Sequence, residues 1–268
     1  MKVNNKVVVV TGAGSGMGRE LTLELVRRGA AVAALDMRKE TLAETKKLAD
    51  ALKGKVETFV VDVTDPTKVA ALPAKIEKAL GKVDALINNA GIIQPFVHVK
   101  DLSLESAHKV MDVNFTGPLL LVKAFLPGLL ARPEAHILNV SSMGAYAPVP
   151  GQTVYGASKA AINLFTQGLR SELLDTKVGV TVVFPGAIAT NIAQNSGMAM
   201  PADAAAQESK FKTTPALVAA KAMVDAIENN KPRITIGSDA TMMDRLARLN
   251  PVMAANIIYK QMASLLKN

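Results

Sequence analysis

Short, β-branched apolar runs alternate along the chain with longer stretches in which apolar positions recur at helical spacing. Residues 6–12 (KVVVVTG), 30–36 (AAVAALD), 55–63 (KVETFVVDV), 82–91 (KVDALINNAG), 135–142 (AHILNVSS), 178–186 (VGVTVVFPG) and 233–237 (RITIG) read as strands. They are apolar almost throughout instead of alternating, as parallel strands covered on both faces should be. Among the helical stretches, 65–80 (DPTKVAALPAKIEKAL) offers Asp65 as N-cap and Pro66 in the first turn, and Pro73 inside it predicts a kink. Repeated alternation of this kind predicts an α/β fold on a doubly wound parallel sheet, with ligands at the carboxyl ends of the strands. There is no internal repeat, low-complexity tract or linker, so residues 1–268 read as a single domain.

Two segments break the rhythm. Residues 190–213 are small, polar and dotted with methionine, and they follow a strand's carboxyl end, the position of a substrate lid. The tail at 239–268 carries Met242, Met243, Leu246, Leu249, Val252, Met253, Ile257 and Ile258 at roughly helical spacing. It is expected to pack on the body or on a partner subunit.

Composition narrows the classes. With 268 residues, 49% of them hydrophobic, the chain can bury a large core. The lack of cysteine excludes disulfides, thiolate nucleophiles and thiolate-ligated zinc, and fits a reducing compartment. The start offers only four consecutive apolar residues before Thr11, too few for a signal peptide, and the most apolar run is interrupted by Lys123. A cytoplasmic protein is expected. The net charge of +8 is uneven: from Lys231 onwards, Lys231, Arg233, Arg245, Arg248, Lys260 and Lys267 meet only Asp239 and Asp244. A solvated helix face accounts for this better than a nucleic-acid patch, because no dense basic run or interleaved aromatics accompany it. Membrane-surface contact by the tail is the weaker alternative. His98, His108 and His136 lack metal-ligand spacing, so no metal site is expected.

Candidate chemistry begins at VVVVTGAGSGMGRE, where glycines at 12, 14, 16 and 18 follow the first strand and open a helix. Met17 takes the place of the third glycine of G-x-G-x-x-G, leaving a longer turn through Gly12, Gly16 and Gly18. Missing side chains let backbone approach a pyrophosphate, and a helix N-terminus favours the anion. Asp36 ends the next strand and can accept both hydroxyls of an adenosine ribose, so the two features point to a dinucleotide. Further along, VYGASKAA sets Tyr155 and Lys159 four residues apart, on one face of a helix. A phenol and an ammonium so placed suit acid/base work, although that spacing alone also fits an ordinary helix surface.

Taken in order, TGAGSGMG, DV at 62–63, NNAG at 88–91, Asn114 in MDVNFTG, NVSS at 139–142, YGASK at 155–159 and PGAIAT at 185–190 closely resemble the short-chain dehydrogenase/reductase (SDR) family. The resemblance covers at least residues 5–190. It implies a Rossmann-type domain that transfers hydride between a nicotinamide and a carbonyl or alcohol. By position, it implies Tyr155 as acid/base, Lys159 as its partner, Ser142 as the substrate-oxygen anchor and Asn114 as a proton-relay residue. Ser142 is preferred to Ser141 because it stands 13 residues before Tyr155. The cofactor set implied is Gly12, Ser15, Gly16, Met17 and Gly18 at the pyrophosphate turn, with Asp36 at the ribose. Asp62 and Val63 would flank the adenine, Asn89, Ala90 and Gly91 line the cleft, Ile188 and Thr190 meet the carboxamide, and Lys159 bind the nicotinamide ribose. The family also suggests a homodimer or homotetramer, with helices at 112–131 and 152–175 pairing across a two-fold axis.

The chemistry sets a demand on Tyr155. A free phenol titrates near about 10, and bringing it to roughly 7 needs about 4 kcal/mol of differential stabilisation. The Lys159 ammonium and the positive charge of oxidised nicotinamide are expected to favour the phenolate, and a buried cation a few ångströms away can supply much of that stabilisation. The other tyrosines have no such partner: four residues on from Tyr146 and Tyr259 stand Pro150 and Ala263. NAD is expected as cofactor, with NADP the alternative, because a 2′-phosphate would face Asp36. Ser15 and Met37 bring no cation, and Arg38 is expected to be solvated or paired with Glu40. For the small-molecule substrate, Gln94, Phe96, Met143, Tyr146, Val149, Met198, Met200 and Phe211 make a mostly apolar candidate pocket with no arginine. They point to a neutral, moderately hydrophobic ketone or secondary alcohol. A catalytically silent nucleotide-sensing scaffold would be expected to lack one of Asn114, Ser142, Tyr155 and Lys159, and none is missing.

Overall fold

The computed structural model describes residues 1–190, 192–197 and 213–266. Every apolar run forms a strand: β1 (Val7–Thr11), β2 (Ala31–Asp36), β3 (Val56–Val60), β4 (Ala85–Asn88), β5 (Ala135–Val140), β6 (Val178–Pro185) and, after two short strands, β9 (Arg233–Ile236). They pair in parallel as one seven-stranded sheet, in the order β3-β2-β1-β4-β5-β6-β9. The order reverses between β1 and β4, and the crevice at that reversal is where a doubly wound sheet takes its ligand. The short strands β7 (Ile188–Ala189) and β8 (Thr214–Pro215) pair separately. At two residues each they carry no periodicity to read.

Alternate strand residues face opposite layers, and each layer has its own core. Val8, Val10, Val32, Ala34, Ile87 and Leu138 pack under α1 (Gly16–Arg27), α2 (Lys39–Ala51) and α9 (Ala216–Glu228), where Leu21, Leu25, Leu42 and Met223 are buried. Val7, Val9, Leu35, Leu86, Ile137 and Val180 face α4 (Leu72–Leu80), α6 (Gly117–Leu130) and α7 (Thr153–Glu172) through Ile76, Phe125 and Leu169. Double coverage explains why these strands are apolar throughout. β3 is the exception: it is an edge strand, and Val60 is exposed.

One expectation needs correction. Asp65 does cap a helix, accepting from the N–H groups of Thr67 and Lys68, but Pro73 breaks that helix instead of kinking it. The chain makes α3 (Pro66–Ala70) and then restarts as α4 with Pro73 in its first turn, where a missing N–H costs nothing. The helical stretch Leu104–Leu130, interrupted by Lys123 as the sequence shows, is long and apolar enough to cross a membrane by composition. It comprises α5 (Leu104–Met111), a π-helical turn at Asp112–Thr116 and α6, and in the fold Leu121, Val122, Phe125 and Leu129 are buried in the core.

The lid expected at 190–213 lies mostly outside the described residues, as do Met198, Met200 and Phe211; its described start includes α8 (Ile192–Asn195). The tail forms α10 (Ser238–Leu249) and α11 (Pro251–Met262). Only part of its apolar stripe is covered. Met243 and Ile258 are buried with Ala254 in a small third core, whereas Leu249 is 85% exposed and Val252 68%.

Candidate active site

The glycine turn links β1 to α1. Gly12 and Gly16 sit at φ of 66° and 51°, in left-handed conformations that a side chain disfavours. The N-cap residue Ser15 makes no capping bond with its side chain and no acidic residue stands in the first turn of α1, so its first N–H groups have no local acceptor among the described residues. The packing is tight. At Gly18 a Cβ would collide with the Gly12 carbonyl, and at Gly16 it would lie 3.3 Å from Thr190. Arg19 braces the turn by donating from Nε to the Gly14 carbonyl at 3.1 Å. Met17 faces the core instead of the crevice.

Asp36 stands beside this turn, its side chain 8% exposed. One carboxylate oxygen accepts from Gly14 N at 3.0 Å and the other from Arg38 N at 3.0 Å. Arg38 is not paired with Glu40. Its Nε lies 3.8 Å from Asp36, and its other nitrogens donate to Asn195 Oδ1 at 2.8 Å and Ser15 Oγ at 3.3 Å. Asn195 in turn donates to Ser15 Oγ at 3.0 Å, tying α8 to the glycine turn. Asp62 lies after β3, exposed and turned towards Thr64 N, while Val63 is buried against Gly117.

The strand end after β4 carries the next group. Thr11 Oγ1 accepts from Asn89 N at 3.0 Å and Ala90 N at 2.9 Å, and Asn89 Nδ2 donates to Thr11 O at 2.9 Å. The buried Oδ1 of Asn89 has no partner among the described residues, which fits a bound donor such as a cofactor group. A Cβ on Gly91 would lie 3.1 Å from Lys159 Nζ and 3.2 Å from Asn114 Oδ1, so both side chains converge on this one bare position. Asn114 sits in the π-helical turn and donates to Ile92 O at 2.9 Å and Ser158 Oγ at 3.0 Å, while accepting from Ile92 N at 2.9 Å. The absent side chains, the uncapped helix start and the unpartnered Asn89 oxygen together suit a dinucleotide.

Tyr155 and Lys159 lie on the same face of α7, with the ammonium 5.9 Å from the centre of the phenol ring. Lys159 is 4% exposed, donates to Val140 O at 3.0 Å, and burial pulls its pKa down to about 8. The phenol does not behave as anticipated. Burial pushes Tyr155 above its ordinary value, and a hydrogen bond with Ser142 only partly opposes that. With the ammonium 5.9 Å from the ring centre, burial outweighs what opposes it. Ser142 Oγ accepts from Gly144 N at 3.0 Å, and the hydrogen bond that opposes the rise of Tyr155 is one its hydroxyl donates towards the phenol oxygen.

Residues 6–201 match the short chain dehydrogenase family. The chain belongs to that family. Mycobacterium tuberculosis SadH, an oxidoreductase by name, is 37% identical over 250 residues, covering 91% of this chain and 90% of that one. Among solved structures, an SDR from Burkholderia phymatum in complex with NAD superposes with a TM-score of 0.86 at 26% identity, covering 94% and 96% of the two chains. A short chain dehydrogenase from Burkholderia cenocepacia in complex with NADP gives 0.80 at 28%, covering 96% and 99%. The protein is thus an SDR oxidoreductase whose structural relatives hold NAD or NADP.

Not every candidate of this short-chain dehydrogenase lines a cleft. Gln94 is wholly buried and bonded to the start of α7, so it is no pocket residue. Tyr146 donates to Ala240 O at 2.9 Å and, with Met143 and Val149, packs on the tail. The backbone of Phe96 runs beside Gly151. Several residues that brace the site were not singled out. Thr11 holds the strand end, and Ser158 links Asn114 to the Tyr155 carbonyl, donating at 2.7 Å. Asp239 accepts from Ala187 N at 2.7 Å, fixing the turn that leads to Ile188 and Thr190. Thr11 lies within the quoted TGAGSGMG motif and Ser158 within YGASK, a signal of place but not of partner.

Proposed function

We propose that this SDR enzyme interconverts a neutral, moderately hydrophobic ketone and its secondary alcohol, with NAD preferred. The observation that carries the reading is the convergence of Lys159 and Asn114 on Gly91, beside Tyr155 and Ser142. When bound, the nicotinamide supplies or accepts the hydride. Tyr155 gives its proton to the substrate oxygen in reduction and withdraws it in oxidation. Ser142, whose hydroxyl points to the phenol oxygen, would donate to the substrate oxygen when it arrives and hold it against the phenol. Lys159 returns a proton to the phenolate; a pKa of about 8 suits exchange near neutral pH. Asn114 holds Ile92 and presents its Oδ1 beside the ammonium, the place for a proton relay.

Gly16 and the start of α1 would hold the pyrophosphate, Asp36 the adenosine ribose, and Lys159 the second ribose. The raised phenol becomes a base only when positive charge is brought beside it, which ties oxidation to a loaded site. A second reading, use of NADP, is favoured by Arg38, whose guanidinium stands between Ser15 and Asn195 at the ribose edge. Substrate screening with NADH and NADPH over a panel of ketones and alcohols tests the proposal. Turnover confined to carboxylate- or phosphate-bearing substrates would contradict it.

A further inference from the structure

The catalytic helix has an end that must be satisfied. α7 is 20 residues long and begins at Thr153, and its first N–H groups have no carbonyl one turn back. Gln152, at the N-cap position, makes no capping bond with its side chain. The cap comes from elsewhere in the fold. Gln94 Oε1 accepts from Val154 N at 2.8 Å and from Tyr155 N at 3.0 Å. Its Nε2 donates to Gly151 O at 2.9 Å, and Gln152 Nε2 donates to the Gln94 carbonyl at 2.6 Å. The carboxamide can face only one way, since a flip would turn its NH2 onto two N–H donors. With Gln94 0% exposed, bulk water offers no substitute.

The loop that carries Gln94 is itself clamped. Asn114 engages both polar backbone groups of Ile92, and Ile93 N donates to Ser196 Oγ at 3.0 Å, just beyond α8. Three consecutive residues thus join the π-helical turn and the segment just after α8 to the backbone of Tyr155. The bond to Tyr155 N acts one atom from the Cα that carries the phenol.

The geometry points to Gln94 as a positioning residue for Tyr155, capping the catalytic helix from the strand end that lines the cofactor cleft. The inference rests on Tyr155 being the acid/base, and it makes a claim that helix stability alone does not. Loss of the cap should misplace the phenol in molecules that remain folded.

Gln94→Met keeps length and volume but removes the acceptor. Gln94→Glu restores an acceptor for both N–H groups and, as the neutral acid, a hydroxyl donor for the Gly151 carbonyl that Nε2 serves in the wild type. In Gln94→Met, kcat should fall about ten- to hundredfold, the range for a small misplacement of a reacting group. NADH affinity, read by cofactor fluorescence, should stay within about threefold, because the lost interaction acts on the chemical step and not on cofactor binding. Gln94→Glu should recover most of the rate. A readout that needs no substrate runs beside this. With only three tyrosines in the chain, Cζ-labelled tyrosine spectra can be assigned by Tyr155→Phe. The Tyr155 resonance should shift or broaden in Gln94→Met and return in Gln94→Glu. Should Gln94→Met fail to fold, Gln94→Asn, whose oxygen is one methylene short, carries the same expectation. A wild-type kcat and an unmoved Tyr155 resonance, even with a lowered melting temperature, would overturn the inference. Because the resonance is read without turnover, failure to find any substrate would count against the oxidoreductase reading and leave this one to be decided separately.

Discussion

At the scale of single residues, charge and burial give two quantitative expectations. Asp36 opposes a 2′-phosphate while Arg38 offers it a partner, and the two lie within 3.8 Å of each other. Like-charge contacts cost several kcal/mol, so NADH should lead in kcat/KM, by about tenfold or more. Arg38→Leu should widen that lead and Asp36→Ser should narrow it; an NADPH preference in the unmutated enzyme would remove Asp36 from its role. His136 gives the second. Its Nε2 lies 2.8 Å from Thr181 Oγ1, whose own hydrogen is committed to Lys231 O, so the imidazole is neutral and donates from Nε2. Burial, helped by the N-terminal ammonium, holds its pKa down to about 3. An unfolded imidazole takes a proton near about 6.5, so the unfolded state binds more protons in the window between the two values. Stability therefore falls as pH drops through that window, by about 2 kcal/mol between pH 7 and 5 from this residue. Urea unfolding at the two pH values should show that loss, and His136→Gln should reduce it.

At the scale of elements, local chemistry was legible and long-range partnership was not. β1, the glycine turn and α1 were readable because the apolar run, the glycines and the helix start are contiguous. Tyr155 and Lys159 were readable because helical spacing fixes their shared face. Gln94 was misassigned to the pocket because its partners, Val154 and Tyr155, lie 60 and 61 residues away. Tyr146 was misassigned for the same reason, its bond to Ala240 spanning 94 residues. Arg38, expected to be solvated or paired with an acidic neighbour such as Glu40, lies beside Asp36 instead and bonds Ser15 and Asn195, the latter 157 residues away. The bare position of Gly91 also belongs to this scale, since it is the join between the β4 strand end, the π-helical turn and α7. Gly91→Ala would press a methyl against Lys159 and Asn114. It should lower kcat by at least about tenfold, with less effect on the melting temperature than on rate; unchanged kinetics would separate Asn114 and Lys159 from catalysis.

At the scale of the whole molecule, the tail and the helix layer raise the question of assembly. α10 and α11 cover the segment after Ser142 through Met243, Ala254 and Ile258, yet Leu249, Val252 and Met253 stay exposed. On α7, Leu164 is 71% exposed. We propose a homodimer or homotetramer that covers part of this surface, with α6 and α7 facing their counterparts. Removing residues from Asn250 onwards should cost at least about 2 kcal/mol of stability, the burial of one large aliphatic side chain. It should also raise substrate KM or lower the oligomer order; light scattering and kinetics matching the full chain would refute this. The central claim is that a folded SDR cleft uses Tyr155 to move a proton as hydride is transferred. The most direct measurement is kcat for Tyr155→Phe beside NADH affinity, on the best substrate of the screen. Loss of more than about nine-tenths of the rate with affinity nearly unchanged is the predicted result, because only the proton donor has gone. A Phe variant that kept most of its turnover would contradict the account.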